Sequence, residues 1–273
     1  MIISVSRRSD IPRFYWDWFL SELERGKTEV VNPFNAHQRK VVSLLPQDVD
    51  GFVFWTRDPY RIVASADVLR EKGYQFYVMV SLTGYPPELE PHGPDIEKVI
   101  LEIHQLKQLI GAERIFWRYD PIILSSLTTV ADHEHRFHFL ATELQSAVSR
   151  CIVSLYDPYK KSEKRLRGLE TGGKLNLIPL YGAANQQLSP EAELLVKKIA
   201  EIAHQYEIPL YSCAEPDWVR SYGIKAHACV DGSLFGKQLH KDTHQRPFCL
   251  CETSVDIGTY GTCPAHCVYC YAW

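Results

Sequence analysis

The sequence predicts an α/β fold, a full or partial (β/α) barrel of parallel strands with a cysteine-rich, cluster-binding segment at its C-terminus. Short runs of apolar, β-branched and aromatic residues alternate along the chain with amphipathic helical patterns. Such alternation is typical of parallel strands joined by helical crossovers. Seven of the eight cysteines lie between Cys213 and Cys270. A doubly wound open sheet is the alternative architecture.

Six segments have the composition of buried strands. They are residues 2–6, 51–56, 75–82, 114–119, 151–156 and 209–212. No repeat, low-complexity tract or linker interrupts the chain. We therefore assign residues 1–212 to the barrel body and residues 213–273 to a cysteine-rich segment that completes the barrel as part of one structural unit.

The intervening helices are marked by capping residues at their ends. Clear helical patterns begin at Asp58, Asp95 and Ser189, and the first two end at Gly73 and Gly111. Each places apolar residues along one face, which indicates packing against the sheet. Weaker helical patterns cover residues 14–24 and 133–148.

Composition and charge restrict the class of protein. The net charge of −3 provides no global basic field for nucleic acid. A basic run at residues 160–167 is interpreted as a solvated helix face, and nucleic-acid contact through it is not excluded. No apolar stretch is long enough for a membrane span or a secretory signal. We expect a cytoplasmic protein with no membrane partner.

The terminal motif C-x3-C-x2-C carries most of the chemical information. Cys263, Cys267 and Cys270 can each place a thiolate on one corner of a [4Fe–4S] cluster. Three ligands leave one iron open to a substrate or cofactor, which favours catalysis. Zinc is the alternative, with His266 or Cys251 as its fourth ligand. A further alternative is a non-catalytic electron-transfer module.

Four other cysteines form a possible second metal site. Cys213, Cys229, Cys249 and Cys251 come from separate loops and together can complete a fully ligated centre. The alternative is that they are ordinary buried cysteines. Cys151 stands apart in an apolar run and is interpreted as a small buried hydrophobic residue.

Polar residues follow the predicted strands at the edge where active sites of parallel barrels lie. Two adjacent arginines can clamp an anion bidentately, and carboxylates there can hold polar groups or exchange protons. In the alternative interpretation these residues form ion pairs and turns that fix the loops. The candidate catalytic residues are Arg7, Arg8, Asp10, Arg118, Asp120 and Glu215.

Eight motifs are spread over nearly the whole chain. They are SRRSDIP at 6–12, NPFN at 32–35, FWT at 54–56, LTGY at 82–85, RYDP at 118–121, CLC at 249–251, DIGTY at 256–260 and the terminal cysteine motif. Together they resemble the landmarks of the DUF1848 family, which has no assigned function.

The terminal cysteines are also similar to the cluster motif of radical S-adenosylmethionine (SAM) enzymes. That resemblance implies that Cys263, Cys267 and Cys270 hold the cluster and that SAM binds the open iron. Reduction by an electron donor then cleaves SAM to methionine and a 5′-deoxyadenosyl radical, which abstracts a hydrogen from a small or polar substrate. The protein positions and shields these groups.

Two features depart from that pattern. The motif lies at the far end of the chain, so residues 253–260 are expected to form the preceding strand of a barrel that looks circularly permuted. No Gly-Gly-Glu segment is present for the SAM amino group, and Thr83 with Gly84, or Glu215, are the candidate substitutes. Aromatic residues that exclude water from the cofactor are expected to be Trp55, Tyr85 and Tyr119. Because only three residues follow Cys270, we expect a further segment or a partner to cover the cluster.

Overall fold

A computed structural model describes residues 1–33, 35–182 and 187–273, and its main element is a sheet of eight parallel strands. The strands of this sheet are β1 Ile2–Val5, β4 Gly51–Thr56, β5 Phe76–Ser81, β6 Ile115–Ile122, β7 Arg150–Leu155, β8 Leu210–Ser212, β9 Lys225–Ala226 and β10 Val255–Asp256. All six predicted buried strands are confirmed, and β10 lies within the predicted strand at 253–260.

The order of the strands is β10-β1-β4-β5-β6-β7-β8-β9. From β1 to β9 each new parallel strand adds to the same edge, and β10 returns to the free edge of β1. A doubly wound sheet reverses direction at a switch point, and this sheet does not. Strands β9 and β10 do not pair among the described residues, so the sheet has the order of a barrel in its open, partial form.

An antiparallel hairpin precedes β4 and was not predicted. Its strands are β2 Lys27–Asn32 and β3 Asn35–Ser43. Thr28 and Val42 are buried, whereas most described side chains of β3 are exposed. The hairpin therefore lacks the apolar content by which buried strands are recognised. Phe34, in the NPFN motif, lies outside the described residues.

Seven helices accompany the strands in the described ranges. They are α1 Ile11–Phe14, α2 Trp16–Arg25, α3 Tyr60–Glu71, α4 Ile96–Ile110, α5 Val130–Leu144, α6 Lys160–Thr171 and α7 Pro190–Gln205. Two of the three predicted N-caps are found: the Asp95 carboxylate accepts from the backbone N–H groups of Glu97 and Lys98, and Ser189 accepts from Ala192. These bonds satisfy N–H groups that a helix start leaves without partners. The prediction of Asp58 was wrong by one residue, because Pro59 is at the N-cap of α3 and cannot provide a side-chain cap.

The two faces of the sheet are covered differently. Successive strand residues point to opposite faces. Val5, Phe54, Val78 and Trp117 pack with the apolar residues of the helices. On the other face, Ile2, Val53, Tyr77, Phe116 and Ile152 pack against residues 213–251, including Phe235 and four cysteines. Both faces are buried, which explains why the strands are continuous apolar runs.

None of the helices in the described part of the chain combines the length and apolar character of a membrane span.

Candidate functional site

A cavity of about 450 Å³ opens at the carboxyl ends of the parallel strands. This volume lies within the range of small-molecule sites, roughly 300–1,000 Å³. In parallel sheets the carboxyl edge is where active sites are built. All seven clustered cysteines line the cavity, as do five of the six candidate catalytic residues, Arg7, Arg8, Asp10, Arg118 and Asp120.

The terminal cysteine loop follows β10, next to the first strand. Strand β10 pairs with β1 through Ile3–Val255 and Ser4–Asp256. Cys267 is buried, and Cys263 and Cys270 are partly exposed toward the cavity. Burial raises the pKa of Cys267 to about 12. A bound metal offsets the cost of ionising this buried thiol, because a cation deprotonates the thiol that coordinates it.

A buried polar network anchors this loop through Tyr269. The Arg57 guanidinium donates to the Tyr269 hydroxyl over 2.8 Å, and that hydroxyl donates to Glu90. Glu90 also pairs with Arg57 and accepts from the Thr83 hydroxyl over 2.6 Å. Tyr269, one of the two residues between Cys267 and Cys270, is thus fixed to the ends of β4 and β5.

Arg165 of α6 holds the far end of the same loop. Its guanidinium donates to the backbone carbonyls of Val268 and Trp273 at 2.9 and 2.8 Å, and also to that of Cys270. The group lies 4.3 Å from the centre of the Trp273 ring. One residue of the predicted solvated basic run therefore contacts the cysteine loop.

The other four cysteines also come together. Cys229 is in hydrogen-bond contact with Cys213 and Cys251, and Cys249 is in contact with Cys251. All four are buried and line the cavity. Hydrogen bonds from Cys229 and Cys249 lower the pKa of Cys251. The tertiary structure thus assembles the set of thiols that was predicted as a possible second site.

Within the described residues, no group of three or more Cys, His, Asp or Glu side chains is arranged to hold a metal ion. In a cubane each thiolate binds a different iron, so its ligands surround the cluster and do not converge on one ion. Thiol chemistry, cavity lining and loop anchoring therefore fit an iron–sulfur cluster, and the cluster itself stays a prediction.

Asp256 connects the two strands beside the cysteine loop. It accepts from the hydroxyls of Ser4 and Ser6 at 2.8 and 2.7 Å and from the backbone N–H of Arg7 at 2.8 Å. Its oxygens lie 3.6 Å from Arg7 Nε and 3.9 Å from Arg8 Nε. The carboxylate therefore holds both arginines at the cavity.

Asp10 is buried at the start of α1. It accepts from the backbone N–H groups of Arg57 at 2.9 Å and Arg13 at 3.1 Å. Burial raises the pKa of Asp10 to about 6. Its carboxylate thus fixes the loop after β4 as well as lining the cavity.

Arg118 and Asp120 form a direct ion pair at the end of β6. Ser154 donates to Asp120, and the Arg118 guanidinium lies 4.9 Å from the centre of the Trp55 ring. Trp55 donates to the Ser4 hydroxyl over 3.0 Å. The cavity is lined by Arg118, Asp120, Ser154 and Trp55, so the ion pair is part of its wall.

Five predicted site residues are not among the described residues that line the cavity. Tyr119 lies on the helix-covered face, where its hydroxyl contacts His133 at 2.7 Å. Tyr85 donates to the Pro121 carbonyl over 2.8 Å and packs against Tyr269. Thr83 belongs to the Glu90 network, and Gly84 neighbours Ile96 and Arg136.

Glu215 is the fifth of these residues. Its carboxylate accepts from the backbone N–H of Leu155 over 2.7 Å, and the Tyr181 hydroxyl is 3.5 Å away. Burial raises its pKa to about 7. The geometry supports a role in joining the ends of β7 and β8.

Four residues at the site are not among those predicted from the sequence: Arg57, Glu90, Asp256 and Arg246. Arg57 directly follows a predicted strand, so strand-end position is a signal for it. Asp256 lies inside the predicted strand at 253–260, and only the shorter observed strand β10 places it at a strand end. Arg246 pairs with Asp157 at the cavity, and Glu90 lies in the long loop after β5. Neither of these two has a local signal, because their partners are distant in the chain.

The DUF1848 family model, described as a domain of unknown function, matches residues 2–272. Among curated proteins, none matches the chain at a significant level.

Proposed function

We propose that this chain, which belongs to the DUF1848 family, is an iron–sulfur enzyme with radical SAM-like chemistry that acts on a small or medium polar substrate. One observation carries the proposal: Cys263, Cys267 and Cys270 line the same cavity as the arginines and carboxylates at the strand ends. These three cysteines would hold a cluster with one iron left free of protein thiolates, and that iron would supply the binding position for SAM.

The anchoring of the cysteine loop supports a cluster held in a fixed position. Tyr269 is tied to Arg57 and Glu90, and Arg165 binds three carbonyls of residues 268–273. Buried partners of this kind reduce the freedom of the three thiols before a cluster binds. Preorganised ligands lower the cost of binding.

The remaining groups have the chemistry for binding SAM and a polar substrate. Arg7 and Arg8 present guanidinium groups that suit a carboxylate. Trp55 and Arg118 provide a stacked surface at the cavity wall. Asp120 and Asp10 provide carboxylate oxygens for amines or hydroxyls. When bound, the cluster and SAM supply the radical chemistry, and these residues orient the reactants and exclude water.

Anaerobic reconstitution with iron and sulfide tests the proposal. We expect a brown protein whose reduced EPR signal changes on addition of SAM, with release of 5′-deoxyadenosine. The Cys267→Ala variant loses the SAM response, whereas Cys151→Ala keeps it because Cys151 packs in the apolar core away from the cavity.

Two results contradict the proposal. A cluster that does not respond to SAM indicates a non-catalytic electron-transfer protein. A colourless protein in which Cys263, Cys267 and Cys270 hold zinc indicates a structural metal site.

A further inference from the structure

We propose that Cys213, Cys229, Cys249 and Cys251 form a second, fully ligated metal centre, separate from the three-cysteine site. Its ligand set of four thiolates suits a [4Fe–4S] cluster, in which each thiolate binds a different iron and the ligands do not converge on one ion. The inference does not depend on SAM chemistry, and it concerns residues that the proposed reaction does not use.

The four thiols meet although the chain brings them from distant positions. Cys213 follows β8, Cys229 follows β9, and Cys249 and Cys251 precede β10. Contacts join them in the order 213–229–251–249. Bringing separate loops together costs chain entropy, and four thiols alone offer weak interactions in return. A metal that crosslinks the loops supplies the missing stabilisation, because its binding energy becomes folding energy.

The segment that carries these cysteines has little regular structure. Between β8 and β10 the described residues form the short strand β9 and two 3₁₀ helices, Asp217–Tyr222 and Gly232–Phe235. This segment nevertheless covers one face of the sheet through Phe235, Val230 and the cysteines. Irregular segments with such small cores are commonly stabilised by metals or disulfides. All of these cysteines are free thiols.

Donors and cations surround the four sulfurs. The backbone N–H of Val230 donates to Cys251 Sγ over 3.4 Å, and Arg246 Nη2 lies 4.0 Å from Cys213 Sγ. Arg118 interacts electrostatically with Cys213 and Cys229, and Arg7 with Cys251. Four thiolates around a metal carry net negative charge. N–H donors and guanidinium groups offset that charge where it is buried.

Full ligation defines what the centre can do. With four protein thiolates no coordination position remains for a substrate, so the centre is either structural or electron-transferring. Both cysteine sets line one cavity. Where the proposed function holds, an iron–sulfur centre there lies beside the reactants and can exchange electrons with them; this last step alone rests on the proposed function.

Metal analysis of a triple variant tests the inference. Cys263→Ala, Cys267→Ala and Cys270→Ala together remove the first site and leave the second intact. We expect the full-length triple variant, prepared anaerobically with iron and sulfide available, to retain about four irons per chain. Cys151→Ala, the matched single variant, keeps the full metal content of the unaltered chain.

Differential alkylation of the unaltered protein provides a test that requires no variant to fold. The four cysteines are expected to resist iodoacetamide until a chelator removes the metal, and then to react. If the triple variant binds no metal, or if the four thiols react identically before and after chelation, the inference is overturned. In either case a SAM response of the unaltered chain still supports the proposed function independently.

Discussion

The Arg57 guanidinium donates to the Tyr269 hydroxyl over 2.8 Å, and this contact joins the end of β4 to the terminal cysteine loop. Arg57 directly follows β4, whereas Tyr269 lies between Cys267 and Cys270 near the chain's end. Both side chains are buried together with Glu90. The position of the loop thus depends on a polar contact made across most of the sequence.

Replacement of Tyr269 by Phe is expected to lower the free energy of unfolding by about 1–3 kcal/mol. The change removes one hydroxyl and leaves buried groups of Arg57 and Glu90 without that partner. Urea unfolding of the variant and the unaltered chain, prepared identically, measures the difference. Tyr206→Phe is the control, because its hydroxyl contacts His138 at an exposed position. Equal losses for both variants would contradict the proposed anchoring role.

Replacement of Arg165 by Ala is expected to loosen the loop at Cys270. The variant loses three carbonyl contacts, so Cys270 in chelator-treated protein becomes accessible more often. We expect its alkylation rate to rise by about tenfold or more, which corresponds to about 1.4 kcal/mol of local opening free energy. Peptide mass spectrometry of the alkylated chain follows the rate.

Arg167→Ala on the same helix is the matched control, since Arg167 is exposed and pairs with Glu163. An unchanged Cys270 rate in Arg165→Ala would show that the carbonyl contacts do not hold the loop.

Gly258 and Gly168 are expected to respond oppositely to replacement by Ala. A Cβ at Gly258 would lie 1.9 Å from Ser6 Oγ, which donates to Asp256. This overpacking is expected to destabilise the chain by about 1–3 kcal/mol. At Gly168 in α6 no atom lies within 4 Å of the added methyl. There, Ala is expected to stabilise the chain by about 0.5–1 kcal/mol.

Thermal unfolding of both glycine variants measures whether Gly258→Ala lowers the unfolding midpoint and Gly168→Ala raises it. An unaffected Gly258→Ala chain would show that the end of β1 is not closely packed against the residues after β10.

Asp10 is expected to make stability fall as pH rises. Burial raises its pKa from 3.8 to about 6, so between these values the folded chain holds a proton that the unfolded chain has released. The contribution of the protonated Asp10 carboxyl to the free energy of unfolding is complete below pH 4 and is lost as pH rises through 6. Over this range the free energy of unfolding of the unaltered chain is expected to fall by about 2–3 kcal/mol relative to that of Asp10→Asn.

Denaturant unfolding of both chains from pH 4 to pH 8 measures this difference. Asp67→Asn, at an exposed helical position, is the control and should leave the pH profile unchanged. Parallel profiles for Asp10→Asn and the unaltered chain would refute the assignment to Asp10.

Local signals predicted the regular elements well. The strand at 51–56 has the predicted bounds, and the caps at Asp95 and Ser189 mark the observed helix starts. These signals act within a few residues, so a single sequence contains them. The hairpin β2–β3 was missed because its side chains are largely exposed and follow no buried pattern.

Strand alternation separates the cavity residues of β6 from the residue between them. Arg118 and Asp120 are two residues apart on β6 and line the cavity, whereas Tyr119 between them packs on the opposite face. In a strand, neighbouring side chains point to opposite faces. The choice of Arg118 and Asp120 therefore already disfavoured Tyr119 as a cavity residue.

The sequence by itself determined the α/β class, the main parallel strands and the candidate thiols, because periodicity, capping and residue chemistry are local properties. Only the tertiary structure decided that β10 returns beside β1, that both cysteine sets line one cavity, and that Tyr269 is held by Arg57 and Glu90. Those relationships join residues far apart in the chain, and they arise from packing and buried hydrogen bonds that no short segment encodes.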